Sequence, residues 1–136
     1  MTEAVYKALI RPRQIRTQIR MAEAEIEGLR LSMLPSAIRY DKDKIQASPD
    51  DPMTQFAVRL DELERKIEKL QGEYLDAQDQ VIALANSLEH PCDVIITLRF
   101  VSGWDFPGIA KEIHMSERQM FRYYKQAQKD LEKRCQ

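Results

Sequence analysis

The sequence predicts an all-α fold: a long, coiled-coil-like N-terminal helical hairpin followed by a compact three-helix unit. Three observations lead there. Across residues 53–88, Phe56, Leu60, Leu63, Ile67, Leu70, Tyr74, Ala77, Val81, Leu84 and Leu88 alternate steps of four and three. Earlier, Ile15, Ile19, Ala22, Ile26, Leu29 and Met33 keep the same rhythm. After residue 88 that spacing stops, and short apolar segments follow, separated by Pro, Gly and Ser. A sustained heptad stripe keeps one narrow apolar face turned toward a partner helix, as a coiled coil requires.

In chain order, Pro12 marks a start or kink of the first long helix, because a proline ring is tolerated chiefly in the first turn. Residues 1–10 are left open as a separate helical turn. Pro35 is expected to end the helix. The 35–52 stretch "PSAIRYDKDKIQASPDDP" reads as a long polar link. Asp50, Asp51 and Pro52 then suit the N-terminus of the second helix, where anions and an early proline are favourable. Gly72 is the weak helix former within it, at about 1 kcal/mol relative to Ala. The two stripes can pair within one chain, as an antiparallel hairpin, or between subunits. The domains expected are 1–88 for the hairpin, for dimerisation or partner binding, and 89–136 for the compact unit.

Composition excludes several classes. Apolar residues make up 43% and charged residues 32% of 136, with four Gly, the profile of a folded, helix-rich soluble chain. No apolar run approaches the roughly 20 residues that span a bilayer, so no membrane role is expected. "MTEAVYKALIRPRQIR" lacks the apolar core of a signal peptide. Cys92 and Cys135 stand apart, without CxxC spacing or a nearby His at ligand spacing, which favours a reducing cytoplasm and no metal site. There is no P-loop, GxSxG or HExxH, and "DKDKIQASPDD" lacks the Gly and closing Glu of a calcium loop. Neither catalysis nor a cofactor is expected. The net charge of −1 conceals segregation, because residues 53–88 are net −3 whereas 116–134 are net +3.

In the C-terminal unit, Pro91 opens a helix through "CDVIITLRFV", and Ser102 and Gly103 close it. His90 is a candidate helix cap. Asp105 is the candidate N-cap of a helix of about ten residues with Pro107 in its first turn and Ile109, Ala110 and Ile113 on one face. His114 occupies the break, where a left-handed residue is usual, and Ser116 caps the last helix. Trp104 and Phe106 are expected to pack the short helix onto the preceding one. Met120, Tyr124 (or Tyr123), Ala127 and Leu131 step along an inner face, leaving Arg118, Gln119, Arg122 and Lys125 outside. Two helices joined this way form a helix-turn-helix. The first turns of its second helix reach base edges, where Arg matches guanine and Gln matches adenine. Ser116 can meet a phosphate, and Lys125, Lys129 and Lys133 fall where backbone contact is expected.

The stretch "WDFPGIAKEIHMSERQMFRYYKQAQKDL" resembles the helix-turn-helix of sigma factor region 4, with its Ile-Ala pair, short turn ending in Ser or Thr, and closing Ala and Leu. The whole chain is similar to small phage regulators of the ArpU/RinA type, most specifically over 98–131. That resemblance implies DNA-facing positions at Ser116, Glu117, Arg118, Gln119, Arg122 and Lys125. It implies a regulator of phage late packaging or lysis genes, acting in the bacterial host cytoplasm. His114 departs from the usual turn Gly. Phe121 stands where a polar or basic residue is common, so it packs on another helix or meets a thymine methyl.

The expectation is a sequence-specific, double-stranded-DNA-binding transcriptional regulator using Ser116, Glu117, Arg118, Gln119, Arg122, Lys125 and Lys129. It would act as a homo-oligomer, with a dimer favoured, and RNA polymerase is a further expected partner. Alternatives are a DNA-packaging factor akin to a small terminase subunit, or an RNA polymerase-docking adaptor that does not itself bind DNA.

Overall fold

The computed structural model describes the backbone of residues 3–39 and 51–134, and the side chains of 3–33 and 51–134. Its elements are α1 (Glu3–Arg39), α2 (Pro52–Asn86), α3 (Cys92–Ile96) continued by a π-helical turn (Thr97–Val101), α4 (Phe106–Glu112) and α5 (Glu117–Arg134). The expected all-α class is what forms. Among the described residues no helix is long and apolar enough to cross a membrane.

Two compact units divide the chain, residues 1–15 with 73–136 and residues 16–72. In the second unit, every stripe position from Ile19 to Met33 and from Phe56 to Leu70 is buried or half-buried, and most intervening positions are exposed. One helix cannot cover its own side chains, so the burial of Ala22, Leu63 and Leu70 within a single chain requires α1 and α2 to face each other. The stripes are therefore satisfied within the chain. Asp51 starts α2: its Oδ1 accepts from Met53 N at 3.4 Å and its carbonyl from Gln55 N at 2.9 Å. Asp50 and the rest of the expected link at 40–50 lie outside the described residues.

Both prolines of the first long helix lie inside it. Pro12 does not start the helix, for α1 is under way from Glu3. The ring gives up one backbone hydrogen bond, a change that costs about 3 kcal/mol in a helix interior. It is fully buried, between Leu9 and Ile15 on the same face, and apolar burial on that face offsets the loss. Pro35 does not end α1 either, since the helix continues to Arg39.

The first unit holds two apolar clusters. One joins Val5 and Leu9 of α1, Val81 and Ala85 of α2, Leu88, Cys92, Ile96, Phe100, and Ala127 and Leu131 of α5. The other joins Ile95, Ile109, Ala110 and Met120. This compact unit thus takes in the first turns of α1 and the last turns of α2 as well as residues 89–136. Val5, Leu9 and Pro12 extend the stripe of Ile15 backward at helical spacing, and the three-helix unit gains a fourth wall from them.

Caps set the ends of the short helices. The α3 segment runs into the π-turn, where Ser102 N donates to the Thr97 carbonyl at 3.1 Å, and Gly103 at φ 76° lets the chain leave, as expected of Ser102 and Gly103. His90 does not cap a backbone group; its Nδ1 lies 3.2 Å from Asp93 Oδ1. Asp105 does cap α4, accepting from Gly108 N at 2.8 Å. A Cβ on Gly108 would lie 2.7 Å from that oxygen, so a larger residue there would push the Asp105 carboxylate aside. At seven residues, α4 is shorter than the ten expected.

The turn into α5 is a Schellman motif. Met115 N donates to the Ala110 carbonyl at 2.9 Å and His114 N to the Lys111 carbonyl at 3.2 Å. His114 takes the left-handed position, φ 56°, where a Cβ is strained and glycine is not. Replacing His114 by Gly is therefore expected to stabilise the fold by about 0.5–1 kcal/mol, seen as a higher midpoint in thermal unfolding. A lower midpoint would contradict this account of the turn.

Candidate nucleic-acid interface

The geometry of α5 follows from its sequence periodicity. Met120, Ala127 and Leu131 are fully buried and Tyr124 half-buried. At about 100° per residue, Arg118, Arg122, Lys125, Lys129 and Lys133 project from the opposite side in steps of four, three, four and four. All five are exposed. The stripe runs from Arg118 to Lys133, about 22 Å of helix. Among the described residues none of its members sits in an ion pair, so its charges are available to a ligand. Lys133 and Arg134 also suit the negative end of the helix dipole, and Glu117 suits the positive end.

The predicted site residues divide by position. Arg118, Arg122, Lys125 and Lys129 come together in this stripe, and Lys133 extends it. Glu117 and Gln119 are exposed on its two flanks, about 100° to either side of Arg118. Ser116 caps the helix, its Oγ accepting from Gln119 N at 3.2 Å while its carbonyl accepts from Met120 N at 3.0 Å. That leaves the hydroxyl proton free to donate. Arg122, Lys125, Gln126, Lys129, Asp130 and Lys133 line a shallow, open surface depression, not an enclosed cavity.

An aromatic group braces the first turns of α5 against α4. The Phe106 ring lies 4.8 Å from that of Phe121, tilted, and 5.2 Å from that of Tyr124, edge-on. The Arg99 guanidinium sits 4.1 Å above the Phe106 ring, and its Nη1 donates to the Trp104 carbonyl at 3.1 Å. Phe106 therefore joins the preceding helix, as expected, and α5 as well. Trp104 remains 38% exposed, with its backbone rather than its ring holding the loop. Phe121 thus packs part of its ring on Phe106 of α4 and leaves the rest exposed.

Two titratable groups here are unsuited to nucleophilic chemistry. Burial, then Asp130 and Asp93, push the Cys92 thiol above its ordinary value, and its Sγ donates to the Tyr123 carbonyl at 3.4 Å. Burial also raises the Tyr124 hydroxyl, against the opposing effects of a hydrogen bond from Gln128 and the charge of Arg99. Both stay protonated at neutral pH. Among the described residues, no group of three or more His, Cys, Asp or Glu could hold a metal ion.

The opposed faces of α5 predict opposite responses to substitution. Met120→Ala should cost about 2–5 kcal/mol through the cavity it leaves, whereas Arg118→Ala should change stability by less than about 0.5 kcal/mol. Chemical denaturation of the two variants measures both, and equal costs would mean that the helix is rotated differently. Set against known proteins, the chain matches no protein family, no curated protein and no solved structure.

Proposed function

We propose that the chain is a sequence-specific DNA-binding transcriptional regulator that places α5 in the major groove of double-stranded DNA. The observation that carries this reading is the exposed basic stripe opposite the buried face of a helix that begins at a Schellman turn. A major groove about 12 Å wide admits such a helix. Arg118 and Arg122, in the first two turns, reach guanine edges through their forked donors. Gln119 on one flank suits adenine, and Glu117 on the other can accept from the cytosine amino group. Ser116 donates its hydroxyl to a phosphate. Lys129 lies about 16 Å along the axis from Arg118, farther than the groove is wide, so it and Lys125 and Lys133 meet flanking phosphates.

The biological setting implied by the resemblance, control of phage late genes in a bacterial cytoplasm, belongs to the same proposal. The hairpin stripe is used within the chain, so a dimer would have to form through other surfaces. RNA polymerase as a partner would meet the exposed outer positions of α2, where acidic residues outnumber basic ones.

Fluorescence anisotropy on duplexes selected from a random-sequence pool, at two salt concentrations, tests this reading. Arg118→Ala is expected to lose about 1–3 kcal/mol on the selected site and to relax preference at one base pair. Lys129→Ala should weaken selected and unselected DNA alike and lower the salt slope by about 0.9 or less. Weak, salt-insensitive association that Arg118→Ala/Arg122→Ala leaves unchanged would instead favour a polymerase-docking adaptor.

A further inference from the structure

We infer that Phe121 reads the 5-methyl group of a thymine. The inference rests on the DNA-binding reading of α5 and names a specificity contact within it. Phe121 lies one turn from both Glu117 and Lys125, in the part of the helix that reaches base edges. It is the large apolar residue among the exposed positions of α5, which are otherwise charged or polar, and 37% of its surface stays open.

Helical geometry puts it about 40° from Lys125 and 60° from Arg118 around the axis, beside the basic stripe rather than on the buried face. The remaining surface of the ring is held by Phe106 at 4.8 Å. Phe106 is in turn fixed by Arg99 at 4.1 Å and by Tyr124 at 5.2 Å. The exposed edge is therefore a braced apolar knob, whose side-chain freedom is already restricted before any ligand arrives.

In the major groove, the thymine methyl is the apolar feature that distinguishes the base edges, and an aromatic ring is a suitable contact for it. Phosphates attract Arg and Lys from any sequence, whereas an apolar knob gains only where a methyl group faces it. Phe121 thereby adds a sequence preference that the basic stripe cannot supply.

The test uses the full chain and a duplex selected from a random pool, compared with the same duplex carrying deoxyuridine at each thymine in turn. Deoxyuridine removes the methyl and leaves the base's hydrogen-bonding groups. For the wild type, one substitution should weaken binding about three- to fourfold, the effect of losing one buried methyl group. For Phe121→Ala, the ratio at that position should fall to about one. Taking the ratio within each protein cancels any loss of folded fraction. Phe121→Leu, which keeps an apolar side chain, should give an intermediate ratio and serves if the alanine variant does not fold. A selected site without thymine, a wild type indifferent to every replacement, or variants that keep the full wild-type ratio would overturn the inference while leaving DNA binding intact. Failure of the wild type to bind any duplex would overturn the DNA-binding reading and this contact with it.

Discussion

The burial of one face of α5 is the constraint on which the rest of this structure depends. Met120 is sealed by Ile95, Ile109 and Ala110, and Ala127 and Leu131 by a cluster reaching from Val5 and Leu9 through Val81 to Phe100. Each fully buried large side chain contributes about 1.5–3 kcal/mol, so rotating the helix by even one position would lose several such contributions. With the inner face fixed, the outer face has no freedom. Arg118, Arg122, Lys125, Lys129 and Lys133 must then point to solvent together. Their alignment is a consequence of core packing, and Ser116 and the left-handed His114 set where the helix begins.

The charge of the chain fits that picture. Overall it is close to neutral, at −1, yet the residues from 116 to 134 carry a net +3. A surface of this kind attracts a polyanion over about a Debye length, roughly 8–10 Å at moderate salt, while the acidic residues of α2 keep the molecule from being uniformly sticky. Bare charge would give affinity without discrimination. Under the proposed reading, discrimination comes from side chains with shape, such as the forked Arg118 and Gln119.

Much of this was legible in the sequence because it rests on local chemistry. The stripe Phe56 to Leu88 and its partner Ile15 to Met33 announce themselves by spacing, and Asp51, Asp105 and Ser116 cap helices as their types and positions suggest. What was not legible depends on tertiary contact. Pro12 reads as a start or kink of the helix, and its ring is in fact buried on the same face as Leu9 and Ile15, with α1 under way from Glu3. Once it is counted as helical, Val5 and Leu9 continue the stripe, and the first turns of α1 join the core around Leu131. The π-turn at Thr97–Val101 leaves no signature in the spacing of Val94, Ile95, Leu98 and Val101. For the site, apolar periodicity locates the outward Arg and Lys, but the placement of Glu117 and Gln119 on opposite flanks needed the helix axis. The bracing of Phe121 by Phe106 joins residues of two helices across the turn, which periodicity within either helix does not reveal.

The central claim is that the outer face of α5 is the surface that meets nucleic acid. Its most direct test is lysine acetylation of the full chain at low salt, with and without excess random-sequence duplex, read peptide by peptide by mass spectrometry. Backbone contacts suffice for binding under those conditions, so no particular site need be known. The account predicts that DNA slows modification of Lys125, Lys129 and Lys133 several-fold and leaves the exposed Lys66 and Lys69 of α2 unchanged. Unaltered rates on α5, or protection that falls on Lys66 and Lys69 in its place, would contradict it.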